Sequence, residues 1–114
     1  MILEDFGLYY AHVMWTDLPI VETRPVLVAD NKMFVFYYVT SKVNNERYIE
    51  NGYLIKDWEK CNLKCPSIIR LDREVDLTVD KFKEYIGTLT ANDINGFLLA
   101  LTDYKIKQSL GKPG

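Results

Sequence analysis

The residues of this 114-residue chain best suited to chemistry are arginines set beside hydroxyls and carboxylates. Arg24 stands at the head of an apolar run, where its guanidinium offers a planar fork of donors to a phosphate and stays charged at any working pH. The plainer reading is a surface arginine that starts a strand. Thr40 and Ser41 close the next apolar run; a hydroxyl there can hold a phosphate oxygen, or can simply end a strand. Arg70 and Asp72, two residues apart, share a face if the segment is a strand. That suits an acid/base or phosphate-binding pair, or a surface ion pair worth under about 1 kcal/mol. His12 is the only histidine, with an ordinary pKa of about 6.5 that suits proton transfer; a structural histidine on a strand is the alternative. Asp17 is a lesser candidate. Trp15, Tyr37 and Tyr38 could stack on bases, although strand aromatics usually serve the core, and Trp58 is assigned to packing. Cys61 and Cys65 lack the further ligands a zinc site needs, so they read as ordinary thiols and no metal is expected.

These side chains need elements to position them. Tyr9 to Thr16 is an expected first strand, broken at Leu18-Pro19. Val26 to Ala29 and Met33 to Val39 are apolar runs around Asp30-Asn31, the strongest hairpin signal in the chain. The second run is apolar on both faces, which predicts a central strand. Register then matters. A two-residue turn puts Thr40 opposite Val21 and on the other face from Arg24. A three-residue loop puts Thr40 opposite Glu22 and on the same face as Arg24. Asn51-Gly52 suits a type I′ turn joining Arg47–Ile49 to Tyr53–Ile55. One helical turn is expected at Asp57–Lys60, ended by Asn62 in the left-handed conformation. Ser67–Leu71 reads as a strand and Thr78–Tyr85 as a short helix. Thr90 and Asp93 resemble a capping box. It opens a helix whose Ile94, Phe97, Leu98 and Leu101 fall on one stripe, ready to cover a sheet. The expectation is one α+β domain, mainly β, with a frayed end from Gly111 to Gly114.

The formal net charge is −2 and the pI about 5.4. Nucleic-acid binders usually carry excess Lys and Arg, so any RNA site must be a local basic patch on a mildly acidic body. No apolar stretch reaches the roughly 18 residues of a membrane span. The first ten residues lack a basic n-region and carry Glu4 and Asp5, which argues against a signal peptide and for a cytoplasmic protein without membrane attachment.

In order and spacing, five segments resemble the MazF/PemK (Kid) toxins of type II toxin–antitoxin systems. They are Thr23-Arg24-Pro25-Val26-Leu27-Val28, Val39-Thr40-Ser41, Leu54-Ile55-Lys56-Asp57-Trp58 with Asn62-Leu63 and Pro66-Ser67, Ile69-Arg70-Leu71-Asp72, and Ile86-Gly87-Thr88-Leu89-Thr90. The resemblance covers roughly residues 10 to 101. It implies a small SH3-like β-barrel with a C-terminal helix. It also implies a homodimer that cleaves single-stranded RNA without metal or other cofactor, and a cognate antitoxin that neutralises it. Arg24, Thr40, Arg70 and Asp72 would be catalytic; His12, Asp17, Thr23 and Ser41 would contact RNA. Two places depart from the family pattern. Ala11-His12 stands where Gly-Asp is common, and Leu18 to Thr23 is short and lacks glycine.

Such cleavage uses the ribose 2′-hydroxyl as internal nucleophile. It needs a base, a group to steady charge on the phosphate and an acid for the leaving oxygen. Two other functions fit the same chain: a non-catalytic SH3-like module binding RNA or protein, or a CcdB-type poison of a protein target such as gyrase.

Overall fold

Alternating and doubly apolar runs make this chain mainly β. The computed structural model describes residues 2–14 and 20–111. Its strands are β1 (Gly7–Met14), β2 (Val21–Asp30), β3 (Val35–Thr40), β4 (Gly52–Leu54), β5 (Ile68–Val75) and β6 (Phe82–Thr88), with helices α1 (Glu46–Glu50) and α2 (Ala91–Leu110). They form one antiparallel six-stranded sheet in the order β4-β5-β3-β2-β1-β6, followed by the C-terminal helix. The sheet is not closed into a barrel, but it curls strongly. Phe36 of β3 and Phe82 of β6 meet at 4.8 Å between ring centroids, although β2 and β1 stand between their strands. In a flat sheet those strands would be about 14 Å apart, at about 4.8 Å per step. Among the described residues no helix is long and apolar enough to cross a membrane.

Both faces of the sheet are covered. Leu8, Leu27, Tyr37, Val39, Ile69 and Phe97 form one cluster beneath α2; Tyr9, Ala11, Val26, Val28, Phe36 and Phe82 form the other. As its doubly apolar run predicts, β3 is internal. Phe36, Tyr37 and Val39 are almost wholly buried, and successive side chains serve alternate faces. Ile94, Phe97 and Leu101 of α2 pack on the sheet as the periodicity predicts, joined by Ala100 and Tyr104. Leu98 does not: it is 43% exposed.

Three local expectations change. The β2–β3 turn has neither two nor three residues. Asn31 to Phe34 form it, because the Asp30 carboxylate accepts from the Lys32 and Met33 amides and a bulge at Ala29 shifts the ladder. The Asn51-Gly52 hairpin is absent. Arg47–Ile49 lies in α1, where the Asn45 side chain caps the Tyr48 amide and Asn51 has φ −112°, outside the type I′ region. Gly52 serves close packing instead, since a Cβ there would collide with Ile68 and the Tyr48 carbonyl. Finally, Thr78 opens only a single 3₁₀ turn, Val79–Lys81, before the chain enters β6. Asn62 does adopt the left-handed conformation, φ 64°, after the turn closed by Lys60 and Cys61 amides on the Asp57 carbonyl.

The capping residue Thr90 accepts from the Asp93 amide. The Asp93 carboxylate reaches back to the Thr90 hydroxyl at 3.4 Å, and its shorter bonds go elsewhere. Fully buried, it accepts from the amides of Lys56 and Asp57, both at 2.9 Å, and from the Tyr53 hydroxyl at 2.7 Å. The start of α2 is thereby tied to the loop after β4. Gly96 leaves room for the Tyr53 ring on the helix, where any Cβ would strike it.

Candidate functional site: a cationic cavity at a parting of strands

The β2–β3 ladder stops at Val26–Tyr38, one residue short of Pro25, whereas the β1 ladder continues through Pro25 opposite Tyr10. Proline has no N–H to give a ladder. Beyond it Arg24 and Thr40 flank an opening. With Val26 opposite Tyr38, alternation puts Arg24 and Thr40 on the same face. This is the arrangement the chemistry needs, reached through a four-residue turn and a bulge.

A second irregularity supplies more charge. Tyr37 faces Glu74 and Val39 faces Ile69, so β5 sets the four residues 70–73 against Tyr38 alone. In a regular strand Arg70 and Arg73 would point to opposite faces; a bulge re-aims side chains. Here both line one cavity of about 50 Å³, together with Arg24, Tyr38, Thr40, Lys42 and Tyr48. That is the local basic patch an acidic chain requires if it binds a polyanion. α1 contributes Tyr48, whose ring lies 4.1 Å beneath the Arg70 guanidinium. Thr40 is buried, and its Oγ1 accepts the Lys42 amide at 3.2 Å.

Two carboxylates balance part of this charge, each two residues from its arginine. Arg24 Nε donates to Glu22 Oε2 at 2.8 Å, with the two side chains 32% and 41% exposed. Arg70 Nη2 donates to Asp72 Oδ2 at 3.2 Å, and these side chains are only 13% and 17% exposed. Among the described residues, buried Arg70 Nε and Asp72 Oδ1 have no hydrogen-bond partner. Burial pushes the Tyr38 hydroxyl above the ordinary tyrosine range, while the positive charges of Arg73, Arg24 and Arg70 pull it back.

A second groove, about 330 Å³, meets the cavity at Arg24, Val39, Thr40 and Lys42. Tyr10, Pro25, Ser41, Leu63, Lys64, Cys65 and Ser67 complete its walls. Sequence-derived candidates therefore divide. Arg24, Thr40 and Arg70 converge on the cavity, with Asp72 paired to Arg70; Ser41 lines the adjoining groove. His12 and Thr23 pair directly across β1 and β2, on the opposite face from Arg24. His12 borders a depression beside β5 and the 3₁₀ turn that shares only Tyr38 and Arg73 with the cavity. Asp17 lies outside the described residues, as do Trp15, Thr16, the Leu18-Pro19 break and Lys112 to Gly114. Sequence reasoning missed Glu22, Lys42, Tyr48 and Arg73 as members of the site. Glu22 had a visible signal, the same i, i+2 spacing to an arginine that singled out Asp72.

In comparisons with known proteins, no family model matches the chain and no curated protein does.

Proposed function

We propose that this protein is a metal-independent endoribonuclease of the MazF/PemK toxin kind, acting on single-stranded RNA in the cytoplasm. The observation that supports it is the convergence of Arg24, Thr40 and Arg70, with Lys42 and Arg73, on one phosphate-sized cavity of an otherwise acidic protein. The curled sheet, with Phe36 against Phe82, is compatible with an SH3-like scaffold. In this reading the scissile phosphate sits among the arginines, which stabilise charge developing on its oxygens. A ribose 2′-hydroxyl attacks phosphorus, and its proton passes to a carboxylate, Asp72 or Glu22. The bond to the 5′-oxygen of the next nucleotide breaks, and that oxygen takes a proton from a hydroxyl or cationic donor of the cavity. The products are a 2′,3′-cyclic phosphate and a 5′-hydroxyl end.

A cationic cavity of this kind also suits the acidic segment of a cognate antitoxin, which would mask it. Exposed Leu99, Ile106 and Leu110 on α2 offer apolar surface for a homodimer. The test is purified protein with single-stranded RNA in excess chelator, followed by end-group analysis, with Arg24→Ala alongside. Cyclic-phosphate ends from the wild type, and their loss in the variant, support the reading; uncut RNA sinks it.

A non-catalytic RNA-binding module remains the second reading. It is favoured by one observation: the single histidine faces away from the cavity, so proton transfer falls to carboxylates already paired with arginines. RNA that binds at the cavity and stays intact is the result it requires.

A further inference from the structure

Few groups in the cavity can give a proton to a leaving oxygen. Arg24, Arg70 and Arg73 hold theirs at any working pH, so they steady charge and release nothing. The carboxylates of Glu22 and Asp72 are paired with arginines and suit the accepting role. The Thr40 hydroxyl is an aliphatic alcohol, as weak an acid as the ribose oxygen it would have to protonate. Lys42 is exposed, and Tyr48 turns its ring face to the Arg70 guanidinium. The phenol of Tyr38 is left. Register places it. Alternation along β3 sets Tyr38 on the face of Arg24 and Thr40, with Val26 opposite on β2 and the bulged residues 70–73 opposite on β5. Both arginine-bearing strands therefore flank it. Burial, the larger influence on its hydroxyl, keeps the phenol protonated at neutral pH, and the charges of Arg73, Arg24 and Arg70 stand ready to meet a phenolate. Among the described residues that hydroxyl is committed to no hydrogen bond.

We propose that Tyr38 is the general acid of the reaction, donating its phenolic proton to the 5′-oxygen as that oxygen leaves phosphorus. The assignment rests on the ribonuclease reading of the cavity. The step balances. As the 2′-oxygen bonds to phosphorus, its proton goes to the carboxylate of Asp72 or Glu22. The bond from phosphorus to the 5′-oxygen breaks, its electron pair stays on oxygen, and the Tyr38 proton joins that pair. A ribose alkoxide is a far stronger base than a phenolate, so the transfer runs downhill as the bond breaks. A phenolate and a carboxylic acid remain, and one proton passing from the acid to the phenolate restores both. The Tyr38 ring still packs against the Phe36–Phe82 core; its hydroxyl carries the chemistry.

The experiment removes the need for an acid and asks whether the need for Tyr38 goes with it. The wild type first maps a cut in a single-stranded RNA. The same RNA is then made with sulfur in place of the 5′-oxygen at that cut. A thiol has an ordinary pKa of about 8.5, so the sulfur leaves as thiolate without a proton. Single-turnover cleavage of both RNAs is measured with the wild type and Tyr38→Phe. The expected result is a loss of about 100-fold on the oxygen RNA in Tyr38→Phe, shrinking to under about three-fold on the sulfur RNA. Cleavage of the sulfur RNA also reports that the variant is folded. Equal cutting of the oxygen RNA by both proteins overturns the assignment while the ribonuclease reading stands. So does an equal loss on both RNAs, which would put the hydroxyl in binding or positioning. A wild type that cuts no RNA overturns the ribonuclease reading, and the assignment with it.

Discussion

Two buried polar clusters hold this molecule's meaning, and they are built to opposite rules. At the start of α2, Asp93 is wholly buried and satisfied: two backbone amides and the Tyr53 hydroxyl spend themselves on its oxygens. Across the sheet, Arg70 and Asp72 are half-buried, yet each keeps one buried atom without a hydrogen-bond partner among the described residues. A satisfied network fixes a fold; a buried polar group with unused capacity costs stability and is kept where a ligand completes it. In the proposed reading the first cluster is architectural and the second receptive. That difference separates stability from function by mutation.

The largest stability loss is expected at the architectural cluster. Asp93→Ala leaves the Tyr53 hydroxyl and the Lys56 and Asp57 amides unmet and should cost about 3–5 kcal/mol in urea unfolding. The largest functional loss is expected in the cavity that Arg70 lines, at its partner arginine Arg24. Arg24→Ala should lower metal-free RNA cleavage about 100-fold or more. Its stability should change by under about 1 kcal/mol, because the Arg24–Glu22 pair is partly exposed and screened. If Asp93→Ala folds normally, or Arg24→Ala unfolds, the contrast between the clusters is broken.

Tyr53→Phe sharpens the architectural side. Losing a hydrogen bond to a buried carboxylate should cost about 1–2 kcal/mol. Burial, and then the bond to Asp93, raise the Tyr53 pKa above its ordinary value of 10.0. A group whose folded pKa is raised contributes stability that is present below the unfolded value and lost as pH rises past it. The wild type should therefore lose stability on alkaline titration beyond about pH 10, and Tyr53→Phe should lose less over that range. The smallest stability effect belongs to Arg70→Lys. It keeps the charge but gives up the planar stack on Tyr48, at under about 1 kcal/mol, while cleavage falls by about ten-fold or more.

Much of this was legible from sequence, and the misses have physical causes. Periodicity and apolar runs foretell the central strand β3, and Thr90 foretells the start of α2. The arginine–carboxylate spacing picks out Arg70 and Asp72, and strand order brings Arg24 near Thr40, while the turn length that decides whether they share a face stays open in the sequence. What sequence could not convey is where regular pairing fails. The bulge that sets residues 70–73 against Tyr38 depends on tertiary register, so nothing in the sequence singles out Arg73. Tyr48 was hidden because Asn51-Gly52 is a strong turn signal, here outcompeted by the Asn45 cap on a five-residue helix. Asp93 sits at a capping-box position, but its carboxylate serves partners some forty residues back in the chain, which no local pattern records.

The measurement that tests the account most directly is cleavage of a single-stranded RNA in chelator by the wild type and Arg24→Ala, with unfolding curves of both proteins alongside. The account predicts 2′,3′-cyclic phosphate ends from the wild type, near absence of cutting by the variant, and superimposable unfolding. Intact RNA with the wild type, or equal cutting by both, would contradict it.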